Sequence, residues 1–305
     1  KSINFSYIDP YFTDNGVSVG YSLSYSDYSN STTSTARYGS GNAAGEISFG
    51  IPISENISLG TAAGIFRNEL TTYDGSTPPS VIHYLVQTLG DRARFGGFEV
   101  ADGDDDGTSG NDTDDDGIPG LDPPTQIPGT QRQWVINAWT ARANWGYDTR
   151  NDYLLPTAGM SHRVQAEVGL PGSDLEYFRI SYDFEHYWHP RFAPWVILKS
   201  AVSLGYGDSY GDTHKAQCLS FAQSGLPVPG SADACGLPFY KNFFAGGPGS
   251  VRGFTANTLG PTTNFGGFSQ VQPLGGAVKT IGTFEFYFPR LLNGVQGSRI
   301  SAFVD

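Results

Sequence analysis

One arginine, Arg252, stands amid glycines and aromatics in a stretch that holds no acidic residue, from Leu237 through Val251-Arg252-Gly253-Phe254 to Pro261. Two chemistries suit such a segment. Gly246, Gly247 and Gly249 suggest a phosphate cradle, but no Gly-Lys-Ser/Thr follows them and no helix is signalled, so a phosphate-binding loop is excluded. The other chemistry is a loop that folds back on itself, with glycines making tight turns and a buried arginine requiring an anionic partner. A second candidate is the acidic run holding Asp102, Asp104, Asp106, Asp112, Asp114 and Asp116. Closely spaced Asp before Gly lets several carboxylates converge on a hard cation, so Ca²⁺ is one expected occupant. A solvated acidic loop is the other reading, and the terminal bidentate Glu of an EF-hand is missing. Cys218 and Cys235 suit an exported protein with one loop disulfide, with a free pair as the alternative. The histidines His83, His162, His186, His189 and His214 are scattered. No clustered nucleophile and base is present, which argues against an enzyme.

These residues need a frame, and the frame reads as β. Aromatics reach 14% of the chain, with 17 Tyr, 20 Phe and a single Met. Aromatic side chains fit a pleated surface better than a helix. Residues 16–28 alternate most cleanly: Val17, Val19, Tyr21, Leu23 and Tyr25 take one face, and Ser18, Gly20, Ser22, Ser24 and Ser26 the other. Similar segments at 1–9, 46–51, 57–73, 133–148, 159–170, 177–188, 195–206, 277–288 and 298–305 bring the expectation to ten strands. A mean hydropathy of −0.28 is no argument against a membrane, because alternating strands average to near neutrality.

Short proline-bearing turns at Pro10, Pro52, Pro156, Pro190/Pro194 and Pro289 alternate with longer links at 29–39, 74–131 and 207–276. Short turns at one rim and long loops at the other characterise outer-membrane barrels. Tyr25, Tyr28, Tyr73, Trp134, Trp145, Trp188 and Trp195 lie near strand ends, which suits interfacial girdles and not the buried faces of a sandwich. His186 and His189 belong by position to the same girdle. The pattern therefore predicts one antiparallel transmembrane β-barrel domain over 1–305. An extracellular loop at 74–131 carries the acidic insert and a short surface helix over 81–88, and a loop at 207–276 folds into the lumen. Nine aspartates between positions 102 and 122 account for most of the net charge of −12, leaving −3 elsewhere. Nothing resembles the basic footprint of a nucleic-acid binder.

Alternation also shows which way two later carboxylates face. In residues 283–288, Phe284, Phe286 and Phe288 must face lipid, so Glu285 faces the lumen. Ile300, Ala302 and Val304 likewise share the outer face, which leaves Arg299, Phe303 and Asp305 inside. The Val-Arg-Gly-Phe loop thus has two carboxylates on neighbouring strands.

With these residues in place the chain resembles the BamA family of outer-membrane assembly factors, in the superfamily that also holds TamA and the FhaC-type exporters. The resemblance covers the whole chain and is most specific over 240–261. The turn from Asp9 to Ser18, the residues Asp148, Arg150, Pro156, Thr157 and Gly159, and the stretch Ala302-Phe303-Val304-Asp305 match further family motifs. The acidic insert departs from them. The resemblance implies an insertase for client β-barrel proteins, integral to the outer membrane of a Gram-negative bacterium and surrounded by its lipids. It implies no cofactor, and lipoprotein partners reached through periplasmic POTRA domains. It also implies that Arg252 pairs with Glu285 and Asp305, and that the chain runs from about the fourth to the thirteenth of sixteen strands. No signal peptide opens the chain, which reads as processed or trimmed. A two-partner-secretion or TamA-type pore is the alternative, to be separated by the number of POTRA domains.

Overall fold

The computed structural model describes residues 2–28, 39–73, 131–193, 195–211, 237–263, 272–288 and 300–305, with isolated positions at 77, 81–82, 84–85, 89, 94–95 and 98–99. Ten long strands form the wall. They are β1 (Ser2–Asp9), β2 (Ser18–Tyr28), β3 (Gly39–Ser54), β4 (Ile57–Tyr73), β5 (Gln131–Asp148), β6 (Gly159–Gly169), β7 (Tyr177–Trp188), β8 (Ile197–Ser209), β9 (Val278–Phe288) and β10 (Ile300–Val304). They pair in chain order and antiparallel throughout. Among the described residues no ladder joins β1 to β10, so these are the two edges of the sheet.

The apolar face points outward. Tyr21, Leu23 and Tyr25 of β2 are 46%, 63% and 49% exposed, and Phe284 on β9 is 60% exposed beside Glu285 at 8%. A soluble sandwich would bury that face; a membrane barrel presents it to lipid. The third strand begins at Gly39, earlier than the expected 46. Its residues 39–45 are glycine, serine, alanine and asparagine, so no apolar alternation marks them. The register explains the small residues: Ala43 and Gly45 lie opposite Tyr25 and Leu23, which fill the space above them.

Two expectations are corrected. Val81, Ile82, Tyr84, Leu85 and Leu89 are helical, but the helix is not on the surface. Val81, Tyr84, Leu85 and Leu89 are buried against Leu70 and Trp134 of the wall and Leu237 and Phe243 of the second long loop. Their near-helical spacing gathers the apolar side chains on one stripe, and that stripe faces the plugged lumen. Trp134 belongs to this plug and not to a lipid girdle: it is 2% exposed, and its Nε1 donates to Thr72 Oγ1 at 3.3 Å. Parity is the reason. Trp139 and Trp145, outward at 52% and 37%, are an odd number of residues away from it and so stand on the opposite face.

The girdle at the short-turn rim is formed on β5–β9. His186 stacks on Trp188 with ring centroids 6.2 Å apart, and Trp195 meets Phe288 at 6.1 Å. His162 joins them, hydrogen-bonded to Tyr182 at 2.9 Å.

Candidate functional site

The second long loop begins after Ser209, and its described part, 237–261, lies along the inner wall. It is fixed at two places. The upper one is apolar and depends on missing side chains. Gly205 and Gly207 stand on the inner face of β8, and a Cβ on Gly205 would lie 2.7 Å from the ring of Phe243, one on Gly207 3.0 Å from Leu237. The two glycines therefore make a notch into which the loop is laid. Phe243 is 6% exposed and is tied to the backbone by reciprocal hydrogen bonds with Gly276 at 2.8 and 2.9 Å. The Arg179 guanidinium covers its ring at 4.3 Å, close enough for a cation–π contact. Two residues earlier, Lys241 donates to Glu167 at 2.7 Å, and the Tyr177 hydroxyl donates to the same carboxylate.

Beyond Phe243 the chain descends and turns. Gly246 (φ +110°) and Gly253 (φ +89°) occupy the left-handed region that side-chain-bearing residues avoid,. At Gly246 a Cβ would also strike the Thr255 carbonyl at 2.6 Å. Ala245 and Leu259 bridge across the turn, which makes the tip a closed hairpin with Arg252 at its end.

Arg252 is the lower fixing point. Its backbone N–H and Nε both donate to Asp305 Oδ2 at 2.8 Å, and Nη2 donates to Asp305 Oδ1 at 2.7 Å. Nη1 donates to Glu285 Oε1 at 3.1 Å. The guanidinium also lies 3.5 Å over the ring of Phe303. Fork-to-carboxylate pairing of this kind sets direction as well as energy. The Asp305 side chain is 2% exposed, Glu285 10% and Arg252 22%, so these charges are largely removed from water. Hydrogen bonding to Asp305 raises the Arg252 pKa still further above its ordinary value. Glu285 accepts a further hydrogen bond from the Tyr287 hydroxyl at 3.1 Å. Lys199, on β8 opposite Glu285 in register, is six residues along the strand from Gly205. At ~3.3 Å per residue the two fixing points are about 20 Å apart along the wall.

Of the residues nominated from sequence, the structure brings together Arg252, Glu285 and Asp305. Gly253 turns the tip. Val251 and Phe254 make no ion pair or hydrogen bond with the clamp; Val251 accepts from Gly247 N at 3.1 Å within the hairpin, and Phe254 is 53% exposed. The six aspartates proposed for Ca²⁺ and the pair Cys218/Cys235 lie outside the described residues. Sequence reasoning missed the upper fixing point: Phe243, Lys241, Glu167, Arg179 and Gly205. The inward parity of Glu167 and Arg179 was available from alternation. The Gly205–Phe243 fit was not, because nothing local couples a strand glycine to a distant loop aromatic.

The comparisons agree with this fold. The family model described as the Omp85 superfamily domain matches residues 1–305. The outer membrane protein assembly factor BamA of Neisseria meningitidis serogroup B is 26% identical, over 98% of this chain and 30% of that protein. A crystal structure of BamA from Haemophilus ducreyi lacking POTRA domains 1–3 superposes with a TM-score of 0.73 at 23% identity, over 99% of this chain and 48% of that one. At that identity the likeness is one of fold. The chain spans less than a third of the curated relative and about half of the solved one.

Proposed function

The chain belongs to the Omp85 superfamily, and from that premise we propose that it is barrel wall of an insertase, which folds client β-barrel proteins into the outer membrane. The chain itself is wall of an integral β-barrel of a Gram-negative outer membrane. The observation that carries the insertase reading is Arg252, held by Glu285 and Asp305 over Phe303. A loop fixed at this depth stiffens the inside of the wall while its strands exchange partners elsewhere. The reading calls for no bond-making chemistry and no cofactor. Free energy comes from the client's own folding, as its strands gain hydrogen bonds and its apolar faces reach lipid. The partners that follow are outer-membrane lipids, client barrels and assembly lipoproteins reached through POTRA domains.

The test uses the full-length protein in a strain depleted of its chromosomal copy. Arg252→Ala and Glu285→Ala are expected to speed proteolysis of the loop and to lower the yield of folded client porins. Unchanged proteolysis together with full porin assembly would sink the proposal. Lost secretion of a soluble passenger with porin assembly intact would move the function to export.

A further inference from the structure

The carboxylates that hold Arg252 do not stand alone on the inner wall. Glu285 on β9 lies opposite Lys199 on β8, and Lys199 lies opposite Tyr187 on β7. All three side chains point inward. The Lys199 ammonium reaches Glu185 at 3.1 Å and covers the Tyr187 ring at 5.6 Å. Tyr187 donates its hydroxyl to Glu185 at 3.3 Å. On the far side of Glu185 stands Arg150 at 3.4 Å, which is itself forked onto Asp148 at 2.6 Å. From the short turn at 149–158 to the loop tip the charges alternate in sign: Asp148, Arg150, Glu185, Lys199, Glu285, Arg252, Asp305.

We infer that Lys199 is the positioning residue of the Arg252 clamp, the cation that keeps Glu185 and Glu285 from repelling one another across β8. The inference rests on the clamp reading above and adds a residue that does not touch Arg252. Its logic is one of counting. The row holds four acids and three bases, so at least one base must serve two acids. Arg150 is already forked onto Asp148 and meets Glu185 only at 3.4 Å. Without Lys199, two inward carboxylates on the strands flanking β8, offset by two positions in register, share a partly dehydrated lumen, where like charges repel more strongly than in water. Glu285 then turns away from Glu185, and Arg252 loses its Nη1 partner. The aliphatic stem of Lys199 can be replaced by that of Met. The charge cannot.

The experiment reads loop seating directly, so it stands or falls independently of client assembly. Trypsin cleaves after Arg252 only when the guanidinium has left its carboxylates, and cleavage rates follow the population of the open form when opening is fast. In the full-length protein in detergent or nanodiscs, Lys199→Met is expected to raise cleavage at Arg252 about tenfold, the effect of a loss near one tenfold step in the closing equilibrium. Lys199→Arg should leave the rate near that of the parent. The decisive variant is Lys199→Met with Glu185→Gln, which removes the repelling charge and should return cleavage close to the parent rate. A general loosening of the wall would be worsened by the second substitution, and that result overturns the inference. So does an unchanged rate in Lys199→Met. Should Lys199→Met alone fail to give the heat-modifiable folded band, the double variant must still fold with a protected Arg252. If it does not, the inference is wrong.

Discussion

The loop at 237–261 is held to the same inner wall twice, by opposite physics. At Phe243 the wall removes atoms: Gly205 supplies an absent side chain, and an aromatic ring fills the notch. At Arg252 the wall adds groups: two carboxylates and a ring converge on one guanidinium. The upper contact is shape, non-directional and tolerant of changes in solvent. The lower one is charge, directional and reversible, and it leaves expensive unpaired groups when a partner is taken away. The difference teaches how a loop can be permanently attached and locally releasable: packing keeps it inside the barrel, while the clamp sets whether its tip is seated. Conveniently, Lys241 and Arg252 put one trypsin site beside each contact.

The largest effect should come from breaking the clamp. Arg252→Ala strands Asp305 and Glu285, whose side chains are 2% and 10% exposed. The loss is expected at about 3–5 kcal/mol of tip stability, the cost of leaving a buried charge unpaired. Chymotrypsin cleavage at Phe254 should report it, with cleavage at Lys241 much less changed. Equal acceleration at both places would mean that the loop opens as one unit, and the contrast drawn above would be lost.

Gly205→Ala tests the other end. Its new Cβ meets the Phe243 ring at 2.7 Å, and overpacking of that kind costs about 1–3 kcal/mol. Cleavage at Lys241 should rise while Arg252 remains protected; a protected Lys241 would show that the notch has slack.

A smaller effect is expected at the ring beneath the guanidinium. Phe303→Leu removes the 3.5 Å cation–π contact and keeps the apolar volume. The loss should be about 1 kcal/mol, seen at Arg252 only. The smallest is ionic strength. Raising salt from low to molar should weaken the clamp by less than about 1 kcal/mol, since partly buried pairs are poorly screened. It should not loosen Phe243 at all. Salt-sensitive cleavage at Lys241 would assign that contact to the Lys241–Glu167 pair in place of the notch.

Much of this was legible in the residues. Period-two alternation was enough to place Phe284 and Phe286 outside and Glu285 inside, because a strand has only two faces and lipid accepts only one kind of side chain. The same rule turned Asp305 inward, and the family resemblance joined both acids to Arg252. It misled where alternation is silent or where position along a strand was used in place of parity. The first residues of β3 have no large side chains to alternate, and nearness to a strand end suggests a girdle for Trp134 that its parity forbids.

By itself, then, the sequence determined which way the residues of the clearly alternating strands point and which charges share the lumen, since facing is a local property of the extended backbone. Only the tertiary structure decided which of them meet. Register laid Lys199 opposite Glu285 and within reach of Glu185, and the loop path put Phe243 over Gly205. Register and loop path are sums of many weak contacts spread over the whole sheet, and no short window of residues contains them.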